Sequence, residues 1–150
     1  MGALSLHFSI HEMALSEGAA RAYGFEYTPY PEEWVETRLR PLFATLEKLR
    51  AKLGGKAIHI IEGGGYRPRE YDLERIRRGA QGVSPDSQHH EGRAADIRVE
   101  GVTPEEVHAA LLSLYDVGEI SIGGLGIYDH FVHVDIRGGA LHRWDMRTSK

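Results

Sequence analysis

The chain has 150 residues, 41% apolar and 27% charged, which is enough apolar material for one hydrophobic core and too much for a disordered or fibrous chain. Its 18 basic and 22 acidic side chains leave a formal charge of -4, and no run of Lys or Arg is long enough to track a phosphate backbone, which argues against a nucleic-acid partner. There are no cysteines, so disulfides, thiolate nucleophiles and Cys-based metal sites are excluded, and any metal must be held by His and carboxylate groups.

In chain order, Ser9 followed by Glu12 is a capping-box pattern that predicts a short opening helix, and GFEYTPYPEE reads as an irregular connection. Val35, Leu39, Leu42, Leu46, Leu49 and Leu53 recur at spacings of four and three, which predicts a helix over 31–53 stopped by Gly54 and Gly55. Pro41 inside it costs a backbone hydrogen bond, so the expectation is a kink there or a later start. A short β-branched run over 57–62 reads as a buried strand ending in the glycine-rich loop Gly63-Gly64-Gly65. A helix over 69–78 and a strand over 94–99 follow. Thr103, Pro104 and Glu106 supply an N-cap, a first-turn proline and a capping-box partner for a helix to about Asp116. Strands are predicted over 119–122, 125–128, 131–136 and 141–146, joined by tight hairpins. Helices early and strands late predict a single α+β domain over 1–150, with a central, largely antiparallel sheet and flanking helices.

Most of the nine histidines need no special account, since a lone His is more often a surface or capped polar residue than a ligand; His7, His11, His59, His90, His108 and His142 are read that way. The segment Ser87-Gln-His-His-Glu-Gly-Arg-Ala-Ala-Asp96 differs. It places His89 at the end of a loop, a turn-permitting Gly92, and Asp96 on the following strand, so that two zinc-compatible ligands can converge. In Phe131-Val-His-Val-Asp-Ile136, strand alternation puts His133 and Asp135 on one face and Val132 and Val134 on the other. Spacing leaves two readings open for that polar face: the wall of a site, or the solvent face of an edge hairpin.

Ser87, His89, Gly92, Ala94 and Asp96 reproduce an S-x-H-x-x-G-x-A-x-D signature, and with FVHVD the chain resembles the zinc D-alanyl-D-alanine carboxypeptidase family. That family includes dipeptidases, murein endopeptidases and phage endolysins, and it shares its fold with the hedgehog signalling domain. The similarity runs from about Phe8 to Trp144 and is strongest to the short murein-endopeptidase branch. By this resemblance, His89, Asp96 and His133 are the ligands of one zinc ion. Gly65-Tyr66-Arg67 resembles the family's S-G-Y-R loop, which makes Arg67 and Tyr66 substrate-binding candidates together with Ser87; Ser87 alternatively caps the loop before His89. Gly64 stands where Ser is usual, which is expected to loosen the loop.

The general base is where the resemblance breaks. Many relatives carry Asp or Glu three positions before the last ligand, and this chain has His130 there; others use His-x-His, and here Phe131 takes the first place. His130 ranks first because it lies in the turn leading to the ligand strand, with Asp135 and Asp129 also in contention. Asp135 has a second reading as an orienter of a ligand, and Asp129 as a plain turn residue. The chain lacks G-x-S-x-G and H-E-x-x-H, so serine and zincin mechanisms lack their residues. The resemblance therefore implies metal-assisted hydrolysis of peptidoglycan stem or cross-link peptides, by a carboxypeptidase or an endopeptidase. The rival is a catalytically silent, zinc-stabilised module that binds peptide or cell wall. No signal-peptide pattern or membrane-span-length apolar run is present, so the expectation is a chain that starts in the cytoplasm and can reach a cell-wall or periplasmic target by secretion or phage-type release.

Overall fold

A computed structural model describes residues 7, 8, 12, 21–23, 31–61, 63–81, 83, 84 and 86–148. Ser9 and most of the GFEYTPYPEE connection, and with them the predicted opening helix, lie outside the described residues.

The predicted long helix is two helices in series. Val35–Leu39 forms a π-helical turn in which the Arg40 N–H reaches back to the Val35 carbonyl, and α1, Arg40–Lys52, follows directly. Pro41 thus stands in the first turn of α1, at its junction with the π-helical turn. Of the two outcomes expected at this proline, the later start is the one found. Next come β1 (Ile58–Ile60), α2 (Arg69–Arg77), a single 3-10 turn (Gln88–Glu91) and β2 (Ala94–Val99). Helix α3 (Pro104–Asp116) begins at Thr103, whose Oγ1 accepts the Glu106 N–H at 3.2 Å. Strands β3 (Gly124–Ile127), β4 (Val132–Asp135) and β5 (His142–Asp145) complete the fold.

The five strands form one sheet in the order β1-β2-β4-β3-β5, antiparallel throughout except that β5 runs parallel to β3. The fold is α+β, with a largely antiparallel sheet, as the sequence predicts. Two local expectations are corrected. Strand β5 does not form a hairpin with β4, because both edges of β4 are already paired with β2 and β3; it adds instead to the outer edge of β3. Residues 119–122 are not a strand: Ile120 and Ile122 are buried in the core, but their backbone has no ladder to join.

Strand alternation divides the sheet into two chemically different faces. Ala95, Ile97 and Val99 of β2, Leu125 and Ile127 of β3, and Val132 and Val134 of β4 turn toward α1 and α3. There they meet Leu42, Phe43, Leu46 and Leu49 of α1 and Val107, Ala110, Leu111 and Leu114 of α3 in one apolar core. Phe8 stacks on Phe43, with ring centroids 5.0 Å apart, and extends the core on the far side of α1. The opposite sheet face carries Asp96, His133 and Asp135, and the segment after β1 folds over it. That segment is held by two backbone bonds, Ile61 N–H to the Asp96 carbonyl at 3.0 Å and Asp96 N–H to the Gly64 carbonyl at 2.7 Å.

Candidate metal centre

Asp96 and His133 are directly opposite one another on paired strands β2 and β4, so the hydrogen-bonded ladder itself brings their side chains together. His89 arrives from the 3-10 turn. Ser87 caps that turn by accepting the His89 N–H at 3.1 Å, and Gly92 closes it at φ +67°. Any side chain at Gly92 would also meet Trp34, since a Cβ there would lie 2.8 Å from Trp34 Cε3. One ligand-type atom from each of His89, Asp96 and His133 falls within 4.8 Å of the others, and all three residues are buried.

The far nitrogen of each imidazole is already committed. His89 Nδ1 donates to the Gly65 carbonyl at 2.8 Å, which leaves Nε2 facing Asp96 Oδ1 at 3.2 Å. His133 Nε2 donates to Asp135 Oδ2 at 2.7 Å, which leaves Nδ1 facing the same Asp96 oxygen at 3.0 Å. Zinc bonds of about 2.0–2.2 Å in a tetrahedron set neighbouring ligand atoms about 3.3 Å apart, so the spacing and the donor types fit a three-ligand zinc site. The electrostatics agree. Burial keeps the His89 imidazole below its ordinary pKa despite Asp96, which favours the neutral, ligating form. Burial pushes Asp96 up, but His89 and His133 outweigh it and hold the carboxyl below its usual range. Burial lowers His133, but its bonds to Asp135 and Asp96 outweigh that and leave it raised.

Asp135 is fully buried behind His133. Besides that imidazole it takes the Arg137 N–H at 3.1 Å, Nε at 2.9 Å and Nη2 at 2.6 Å. Burial raises its carboxyl, and His133 and Arg137 together bring it well below the carboxylate range. This arrangement matches the orienter reading of Asp135. The space it occupies exists because β3 carries glycines on this face. A Cβ at Gly124 would lie 2.2 Å from Asp135 Oδ2, and one at Gly126 would lie 2.2 Å from Trp144 Nε1. Trp144 lies across Gly126, its ring 4.9 Å from that of His133, and donates to the Tyr128 hydroxyl at 3.0 Å.

The three side chains open into a groove of about 540 Å³. Tyr128, Phe131, His142 and Trp144 line its strand side, and Arg67, Arg75, Ser87 and Gln88 line its loop side. Of the other residues named from the sequence, Arg67 and Ser87 are therefore in the groove. Tyr66 is buried edge-on against Trp34, with centroids 5.7 Å apart, and is not among the groove-lining residues. His130 is exposed in the β3–β4 turn and does not line the groove either. Asp129 accepts the Thr148 N–H at 3.0 Å and its hydroxyl at 2.9 Å, which ties the turn to the segment after β5. Gly64 does not loosen its loop: it is buried and bonded through both backbone groups, and a Cβ would lie 2.9 Å from Asp96 Cβ. Residues that sequence reasoning passed over are His142 and Trp144, two positions apart on one face of β5, with rings 5.3 Å apart, and Arg75 on α2. The alternation in His142-Arg-Trp144 signals that the two share a face, but not which face of the sheet it is.

The family model described as peptidoglycan L,D-endopeptidase MepK matches residues 32–144. The chain belongs to the MepK family. Peptidoglycan L,D-endopeptidase MepK of Escherichia coli strain K12 is 35% identical over 106 residues, covering 69% of this chain and 52% of that protein. The probable MepK of Haemophilus influenzae is 32% identical over 105 residues, with the same coverage of 69% and 52%. The chain thus spans about half the length of the curated MepK relatives it matches. No solved structure matches it. The MepK match takes in all three convergent side chains, Arg67, Arg75 and the Trp144 end of the groove.

Proposed function

We propose that this chain is a zinc-dependent peptidoglycan peptidase that cleaves within stem or cross-link peptides, with His89, Asp96 and His133 holding one zinc ion. The observation that carries the reading is the convergence of two imidazole nitrogens and one carboxylate oxygen at the floor of an open groove, each imidazole braced from behind. Membership of a family whose relatives are named L,D-endopeptidases supports the endopeptidase option over the carboxypeptidase one. Zinc bound to such a set supplies Lewis acidity, polarising a carbonyl and acidifying water to a pKa near 7.

The chain's own residues do the rest. Gly65, through its carbonyl, and Asp135 fix which imidazole nitrogen faces the ion. Arg67 and Ser87 line the groove beside His89 and hold the substrate peptide, the guanidinium meeting a carboxylate or the developing oxyanion. A proton must pass from the attacking water to the leaving amine. His130 is the candidate named from the sequence; both it and His142 are exposed, and His142 is put ahead because it lines the groove whereas His130 does not. Tyr66 serves the site indirectly, by packing against Trp34. The site of action is the cell wall or periplasm, where the substrate lies. Among the described residues, no helix is long and apolar enough to cross a membrane.

A second reading, a silent zinc-stabilised binding module, draws on one observation: apart from Asp96, the only carboxylate lining the groove among the described residues is the exposed Asp86. One series of measurements separates the two. Metal content is measured first, then muropeptide cleavage with zinc, with chelator and with His133→Ala. The peptidase reading expects about one zinc per chain and products that vanish with chelator or the substitution. Zinc binding without products supports the silent module, and absence of stoichiometric zinc defeats both.

A further inference from the structure

Helix α2 carries a charged cluster that the metal site does not use. Asp72 is fully buried, yet accepts from three cationic or ring groups. Arg67 Nε lies 3.1 Å from both of its oxygens, Arg75 Nη1 lies 2.8 Å from Oδ1, and His90 Nε2 lies 2.7 Å from Oδ2. The two guanidiniums therefore share Oδ1 as a common anchor. Both line the groove that holds His89, Asp96 and His133, with side chains 13% and 28% exposed.

The charge balance decides what this wall can bind. One carboxylate stands between two guanidiniums, so the wall carries an uncompensated positive charge that faces the groove and is partly shielded from water. Arg67 spends Nε on Asp72 and Nη1 on the Gly63 carbonyl, and Arg75 spends Nη1 on Asp72. Nη2 of each has no hydrogen-bond partner among the described residues. Besides Asp96, the one carboxylate lining the groove among the described residues is Asp86, which is exposed and pairs at 4.0 Å with Arg69. A purely structural role would need only one arginine on Asp72. Two, anchored on one oxygen and opening into the groove, fit a planar anion that takes one N–H from each.

We infer that Arg75, together with Arg67 and mounted on Asp72, forms a carboxylate-reading subsite, so that the preferred substrate is a peptide bearing a free carboxylate beside, and not part of, the scissile bond. The peptidase reading enters only in choosing the probe. Arg75 is a specificity residue here, and the inference concerns binding.

The probe is a tripeptide stem fragment prepared with free carboxylates and again with those carboxylates amidated, titrated calorimetrically into the zinc-loaded full chain. Wild type is expected to bind the free form about 10- to 100-fold more tightly, the range of a charge-assisted hydrogen-bond pair. Arg75→Gln should bring that preference below about threefold with zinc content unchanged, and Arg75→Lys, which keeps the charge but loses the planar fork, should fall between. Equal binding of the two fragments by wild type, or an undiminished preference in Arg75→Gln, overturns the inference. Cleavage of cross-linked muropeptides is followed in parallel. Cleavage without discrimination rejects the subsite and keeps the peptidase; discrimination that depends on Arg75 without cleavage supports the subsite and rejects the peptidase.

Discussion

Replacing Asp135 by Asn tests the link between the second row of contacts and the metal. The substitution keeps shape and removes one negative charge, so the carboxylate that receives the His133 Nε2 proton at 2.7 Å becomes a neutral amide. His133 loses basicity and orientation, and the loss of such a partner lowers metal affinity by about 10- to 100-fold, or about 1.4–2.8 kcal/mol. A second cost falls on the fold. Arg137 loses the carboxylate charge and one of the two oxygens that accept its Nε and Nη2, at 2.9 and 2.6 Å, but its side chain is 31% exposed and can rehydrate. The penalty should therefore lie below the range for stranding a fully buried charge, at about 1–3 kcal/mol. Zinc competition against a chromogenic chelator gives the first quantity, and urea unfolding of the metal-free variant gives the second. An Asp135→Asn protein that holds zinc within threefold of wild type would refute the orienting role and return Asp135 to the pool of proton-transfer candidates.

Three further outcomes are expected. Gly126→Ala drives Trp144 off β3 and breaks its bond to Tyr128, costing about 2–4 kcal/mol and lowering the thermal midpoint by about 5–15 °C; a calorimetric melt superimposable on wild type contradicts the packing argument. His142→Ala should retain zinc and lose at least about 100-fold in kcat on muropeptides, while His130→Ala stays within about threefold, and the reverse order restores the proton to His130. Asp72→Asn should destabilise the chain by about 3–5 kcal/mol at neutral pH. Burial raises this carboxyl, but Arg67, His90 and Arg75 outweigh it and leave it below its ordinary value. Its contribution is then fully present above the unfolded-state pKa of about 3.9 and is lost as pH falls through the lower folded value. Urea midpoints of the two proteins should stay apart from pH 5 to 8 and draw together as the pH falls through the folded value; a gap that widens toward acid contradicts the sign.

What the sequence discloses and what it hides follow from the range of the interactions involved. The grouping of His89, Asp96 and His133 is legible through the family resemblance of its two motifs; the capped turn closed by Gly92 and the two-residue period of β2 and β4 are local, but the pairing of β2 with β4 that sets Asp96 opposite His133 is not. Helix α3 is legible because Thr103, Pro104 and Glu106 lie within one turn. The parallel seat of β5 is not local: it depends on which edge of the sheet is left open, so the face that His142 and Trp144 present cannot be read from their own strand. Gly64 misleads because its freedom matters less than the closeness of Asp96, a contact across 32 positions of chain. Arg75 reads as one more exposed helix cation until the buried Asp72 beside it is seen.

The three arms of the centre differ in stiffness. Two of them face each other on one rung of adjacent strands, so their separation is set by strand spacing and cannot change without tearing the ladder. The third hangs on four residues of 3-10 turn hinged at Ser87 and Gly92. Accommodation of the proposed zinc ion, or its release, therefore falls first on that turn and on its bonds to Gly65 and Arg67. Amide exchange on removing the ion should quicken across 87–92 and leave β2 and β4 protected, a tripod that folds at one leg while the other two stand.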